Sequence, residues 1–122
     1  MKSLLLVAHG SRRAASNDEV RALTRRLAEH AGEGFLQVAC AFLELADPSI
    51  PEGIEGCLRA GAAEVVVVPY FLSAGRHVAE DIPAAVARVQ AAHPEARLRV
   101  APHLGSAEGV VELLLGLARA TS

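Results

Sequence analysis

The sequence predicts an α/β protein with one parallel sheet covered by helices on both faces. Three observations carry this. Four short apolar runs alternate with four longer segments whose apolar residues recur at helical spacing. Two of the runs, 4–8 and 65–68, are apolar without alternation, as strands inside a parallel sheet are. The connections are short, and alternating strands and helices require right-handed crossovers, which make neighbouring strands parallel. A chain of 122 residues fits one domain, 1–122.

The first strand is read at 3–8, bounded by Gly10. Ser16 with Glu19 three residues on has the pattern of a capping box, and Val20, Leu23, Leu27 and Ala31 follow at helical spacing up to Gly32 and Gly34. A second strand is expected at 35–42, followed by a loop at 43–48. Ser49 and Glu52 offer another capping box, for a helix with Ile50, Ile54, Cys57 and Leu58 inward and Gly61 at its end. The third strand, 64–69, holds four consecutive valines and reads as buried on both faces. A loop at 70–77 leads to a helix with Val78, Ile82, Val86 and Val89 on one face. Pro83 is tolerated there only near the start, so the first turn falls near 80–82 or is irregular before it. The fourth strand, 97–101, carries polar residues that suit a sheet edge. Ser106 is expected to cap a last helix carrying Val110, Val111, Leu114 and Leu117. The expected fold is a flavodoxin-like three-layer domain with four strands in the order 2-1-3-4. The crevice between the first and third strands is then the expected ligand site.

Composition narrows the function. The net charge of −2 leaves no electrostatic footprint for nucleic acid, and 3% aromatics leave few stacking platforms for bases. The apolar run after Lys2 stops after five residues at His9, short of a secretory signal, and no run approaches the ~20 residues of a membrane span. Cys40 and Cys57 form no C-x-x-C motif and read as buried free thiols. The expected setting is the cytoplasm, with neither nucleic acid nor membrane as partner. A Walker loop, a G-x-G-x-x-G turn and a G-x-S-x-G elbow are all absent. This disfavours a nucleotide or flavin binder. Ala8 before His9 disfavours a phosphohistidine phosphatase.

The polar residues gather at one edge. His9 follows the first strand, Glu44 the second, His77 the third and His103 the fourth, so all four fall at the carboxyl edge of the sheet. His30 and His93 end helices and read as solvated residues favoured by the helix dipole. Imidazoles with a supporting carboxylate suit cobalt, nickel, iron or zinc, so His9 and His77 with Glu44 are candidate metal ligands. Spacing by itself favours hydrogen-bonding loop residues, since the two histidines are far apart in sequence and form no tight ligand motif. Arg12, Arg13 and Arg76 stand in the same loops, where an anion would meet guanidinium groups. Ser11 lacks an evident base in sequence and reads as bonding the loop backbone or capping the following turn.

Three stretches carry a resemblance: Val7-Ala8-His9-Gly10-Ser11-Arg12; Phe42-Leu43-Glu44-Leu45-Ala46-Asp47-Pro48-Ser49; and Pro69-Tyr70-Phe71-Leu72-Ser73-Ala74-Gly75-Arg76-His77-Val78 with Asp81-Ile82-Pro83. In this order and spacing the chain resembles the class II tetrapyrrole chelatases, above all the short form of the sirohydrochlorin cobaltochelatases. The resemblance implies ATP-independent insertion of a divalent metal, Co²⁺ first and Ni²⁺ or Fe²⁺ as alternatives, into sirohydrochlorin or a related anionic tetrapyrrole. It implies that His9, His77 and Glu44 act as metal ligands and catalytic residues. The implied substrate-binding residues are Ser11, Arg12, Arg13, Ser73 and Arg76. No permanently bound cofactor is expected. A chain of this length matches one half of the long members, so a homodimer is expected. The alternative is a non-catalytic protein that carries metal or tetrapyrrole to another enzyme.

Overall fold

A computed structural model describes residues 1–121. Its sheet has four parallel strands in the order β2-β1-β3-β4, as the sequence predicts. The elements are β1 (Lys2–Ala8), α1 (Ala14–Ala31), β2 (Gln37–Phe42), α2 (Ile50–Arg59), β3 (Glu64–Pro69), α3 (Ile82–Ala92), β4 (Arg97–Val100) and α4 (Gly109–Ala120).

The main core lies between the sheet and the α2–α3 pair. Leu5 and Val7 of β1, Ala41 of β2, and Val65 and Val67 of β3 meet Ile50, Ile54 and Cys57 of α2. Ile82, Val86 and Val89 of α3 complete it. Each fully buried aliphatic side chain stabilises the fold by roughly 1.5–3 kcal/mol. At the start of α2 the expected capping box is present. The Ser49 hydroxyl accepts from the Glu52 N–H, and the Glu52 carboxylate accepts from the Ser49 N–H.

The other face of the sheet is covered unevenly. Helix α1 packs across β2, but α4 buries none of its residues. An apolar groove of about 570 Å³ is left, lined by Leu4, Leu6 and Val68 of the sheet, Leu23 and Leu27 of α1, and Leu113 of α4. Burial along β3 therefore alternates. Val65 and Val67 are buried, whereas Val66 and Val68 are half-buried. The expected burial of this strand on both faces is met on one face only, because α1 and α4 leave the groove open over its second side.

Several local expectations need correction. Helix α1 begins at Ala14 with Arg13 at its cap position and no side-chain cap, so Ser16 and Glu19 lie inside the helix. The chain is turned into the helix by Asn17 instead, described below. β2 begins at Gln37 rather than at 35. Ser106 does not cap α4. It sits in a 3-10 turn, Leu104–Ser106, and its hydroxyl donates to the His103 carbonyl. Cys57 is buried, but Cys40 is only half-buried. His93 is no solvated helix end: its Nε2 lies 2.7 Å from Glu55 Oε1 and ties the end of α3 to α2.

Candidate functional site

Backbone pairing beyond the ends of β1 and β2 brings the first two polar loops together. The Leu43 N–H donates to the Ala8 carbonyl at 2.9 Å, and the Glu44 N–H to the His9 carbonyl at 3.1 Å. Glu44 is thereby fixed beside His9. The approach is close because residue 10 is glycine. Gly10 has φ +94°, and a Cβ there would collide with the Glu44 carbonyl oxygen. The loop closes on Asn17. Its Oδ1 accepts from the Ser11 N–H at 2.9 Å, and its Nδ2 donates to the Ser11 carbonyl at 2.8 Å.

The third polar loop leaves β3 with the Tyr70 N–H donating to the Val7 carbonyl. It ends in a single π turn, His77–Asp81, in which the Ile82 N–H donates to the His77 carbonyl. Such wide turns are uncommon and gather at functional sites. Here the turn has a local cause. Pro83 follows immediately, supplies no N–H, and in a continuous α-helix would press on the carbonyl four residues back.

These loops place the His9 and His77 rings edge to face, with centroids 4.8 Å apart and an interplanar angle of 69°. His9 Nδ1 lies 2.9 Å from the Gly10 carbonyl. Its Nε2 lies 3.2 Å from Glu44 Oε2. His77 Nδ1 lies 2.7 Å from Asp81 Oδ2. Both histidine side chains are about 40% exposed, 43% and 42%, so a ligand can reach them from solvent. Among the described residues, no three histidine, cysteine or carboxylate side chains converge into a ready-made metal cage. The arrangement is an open pair of imidazoles, each with a carboxylate at its side, Glu44 at His9 and Asp81 at His77.

The remaining candidate residues are placed less uniformly. The Ser11 hydroxyl accepts from the Arg13 N–H at 3.0 Å, which engages it in its own loop. Arg12, Arg13 and Ser73 are exposed. Arg76 is exposed and pairs with Glu80 at 3.6 Å. Leu45, Tyr70 and Leu72 present apolar surface near the same edge. His103 starts the 3-10 turn after β4, and its carbonyl accepts from Ser106. Sequence reasoning missed two residues. Asn17 stands one turn into a helix, and only the folded loop shows what it bonds. Asp81 carried a signal, since it follows His77 at i+4, the spacing at which helical side chains meet.

Fold and edge together define a class: a doubly wound parallel α/β protein with an open histidine pair where the strand order reverses, the usual place for a ligand. Residues 3–121 match the CbiX family, and the chain belongs to it. It is 32% identical over 111 residues to the sirohydrochlorin ferrochelatase of Bacillus subtilis (strain 168), an alignment covering 91% of this chain and 42% of that protein. The sirohydrochlorin chelatase SirB of Bacillus subtilis subspecies spizizenii, solved in complex with cobalt, superposes with a TM-score of 0.85 at 31% identity. It covers 98% of this chain and 50% of its own. A CbiX protein of Marinobacter aquaeolei VT8 superposes with a TM-score of 0.81 at 30% identity, covering 99% of this chain and 97% of its own. The chain thus spans less than half the length of the curated ferrochelatase, and nearly the whole of the Marinobacter protein.

Proposed function

We propose that this chain is a sirohydrochlorin chelatase, which inserts a divalent metal ion, Co²⁺ first, into sirohydrochlorin or a related anionic tetrapyrrole without ATP. The observation that carries the reading is the open His9–His77 pair, 4.8 Å between ring centroids, with Glu44 beside His9. Metal insertion needs ligands that hold an ion and then surrender it to four ring nitrogens. Two imidazoles and a carboxylate on an exposed edge bind a divalent ion more loosely than a closed thiolate cage. Loss of the two pyrrole protons needs a base in reach. His9, His77 or Glu44 serves once its bond to the metal is released. The substrate's peripheral carboxylates find partners in Arg12, Arg13 and Arg76 around the same mouth, with Ser11 and Ser73 beside them. The ring face would rest on Leu45, Tyr70 and Leu72. Relatives named for ferrochelatase activity and solved with cobalt support the reaction class, and the donor set suits both metals.

The working unit in this reading is a homodimer in the cytoplasm. Free thiols at Cys40 and Cys57 suit a reducing compartment. The groove beside α1 and the exposed Val111, Leu113, Leu114, Leu115 and Leu117 of α4 lie on one protomer. A twofold pairing of two copies covers both with the same apolar chemistry, since an isologous contact satisfies each patch twice. The half-length match to SirB leaves room in that protein for a second unit of similar size.

The test is a spectrophotometric insertion assay under anaerobic conditions with Co²⁺, Fe²⁺ and Ni²⁺. Wild type should exceed the spontaneous rate. His9→Ala and His77→Ala should fall to background with unchanged thermal unfolding. A folded wild type that binds metal or pigment but accelerates nothing would overturn insertion in favour of the carrier reading.

A further inference from the structure

The two histidines are held in different ways. His9 Nδ1 faces a main-chain carbonyl, that of Gly10, which no side-chain substitution at the site removes. His77 Nδ1 faces a side chain, the Asp81 carboxylate, at 2.7 Å. An ionised carboxylate only accepts hydrogen bonds. A neutral imidazole carries one N–H, so Asp81 draws it to Nδ1 and leaves the lone pair on Nε2. Asp81 is itself anchored, because the next residue, Ile82, is 0% exposed in the α2–α3 core. The π turn puts His77 and Asp81 at its two ends, on adjacent positions of the same face. The exposed Arg76–Glu80 pair runs in parallel one residue earlier and leaves Asp81 to His77.

We propose that Asp81 is a positioning residue that sets the tautomer and ring orientation of His77, so that Nε2 is presented to the incoming divalent ion. The assignment rests on His77 being a metal ligand. A carboxylate behind a ligating imidazole also makes its free nitrogen a better donor, and removing such a partner typically weakens metal binding about 10–100-fold.

The experiment has two readouts. Long-range ¹⁵N–¹H NMR of the metal-free protein at mildly alkaline pH reports which nitrogen of each histidine carries the proton. Titration with Co²⁺ alone, followed by visible absorption, reports affinity. In wild type, His77 should carry its proton on Nδ1. In Asp81→Ala the proton should move toward Nε2 while His9 is unchanged, and Co²⁺ affinity should fall about 10–100-fold. Asp81→Asn keeps the side-chain shape and should lose affinity to a smaller degree, so it carries the test if the alanine variant folds poorly. Asp81→Glu should recover part of the loss, which a purely structural role would not predict. A His77 proton that stays on Nδ1 in Asp81→Ala, or an unchanged Co²⁺ affinity, overturns the assignment. A wild-type protein that takes up no Co²⁺ overturns the metal-site reading itself, whatever the variants do.

Discussion

Gly10 shows how one residue controls the site. Its φ of +94° lies where side chains are strained, and its missing Cβ lets the Glu44 carbonyl sit against it. Gly10→Ala should cost about 3 kcal/mol through strain and collision together, read as a lower urea midpoint with an unchanged slope. The same variant should also lose metal-dependent activity, because the Gly10 carbonyl orients His9 and the displaced backbone carries Glu44. Gly105, in the 3-10 turn after β4, shares the close approach without the positive φ: a Cβ there would collide with the Leu72 carbonyl. His9 and His77 are legible as candidates because each lies in a loop that follows a strand at the carboxyl edge of the sheet. Asn17 was not legible, since its two bonds go to the backbone of Ser11, six residues earlier.

At the scale of the element, the two capping patterns read alike and fold differently. Ser49 and Glu52 form a reciprocal box, whereas Ser16 and Glu19 lie within α1. The helix starts earlier because the β1 loop turns on Asn17, and a local pattern does not reveal which of two starts the loop selects. Ser49→Ala should lower stability by about 1 kcal/mol. The Ser49 N–H, then its hydroxyl, holds the Glu52 carboxyl below its ordinary range. A depressed carboxylate pKa stabilises the fold above the unfolded value, and that contribution disappears as pH falls through the folded value. The stability gap between wild type and Glu52→Gln should therefore be present at neutral pH and close under acid, followed by thermal melts across pH. Pro83 by itself allows a first turn near 80–82 or an irregular one before it, and the structure takes the second. That it is a π turn, aligning Asp81 with His77, depends on where Ile82 enters the core.

At the scale of the molecule, one face of the sheet is finished and the other is open. α2 and α3 seal the first, and α1 with α4 leave a groove on the second. If two copies meet there, Leu113→Ser with Leu117→Ser should weaken dimerisation by about 10⁴-fold, since a symmetric dimer loses four buried leucines, two from each copy, at ~1.5 kcal/mol each. Sedimentation velocity across a concentration series reads this directly. A wild type that stays monomeric at all concentrations would remove the dimer. No helix among the described residues is long and apolar enough to cross a membrane, so α4's apolar surface does not mark a spanning helix.

Element order, the parallel sheet with order 2-1-3-4, and the gathering of His9, Glu44 and His77 at its carboxyl edge were all determined by the sequence alone. Element order and the parallel sheet follow from hydrophobic periodicity, chain order and crossover handedness, which are local or topological properties, and the strand order follows from likeness to the flavodoxin-like arrangement. The tertiary structure decided the rest: the 4.8 Å approach of the rings, the Asp81 carboxylate behind His77, the Glu55–His93 clasp and the uncovered face of β3. Each of these depends on residues far apart in the chain, or on the exact rotation of a turn. Packing sets such distances, and a one-dimensional pattern does not contain them.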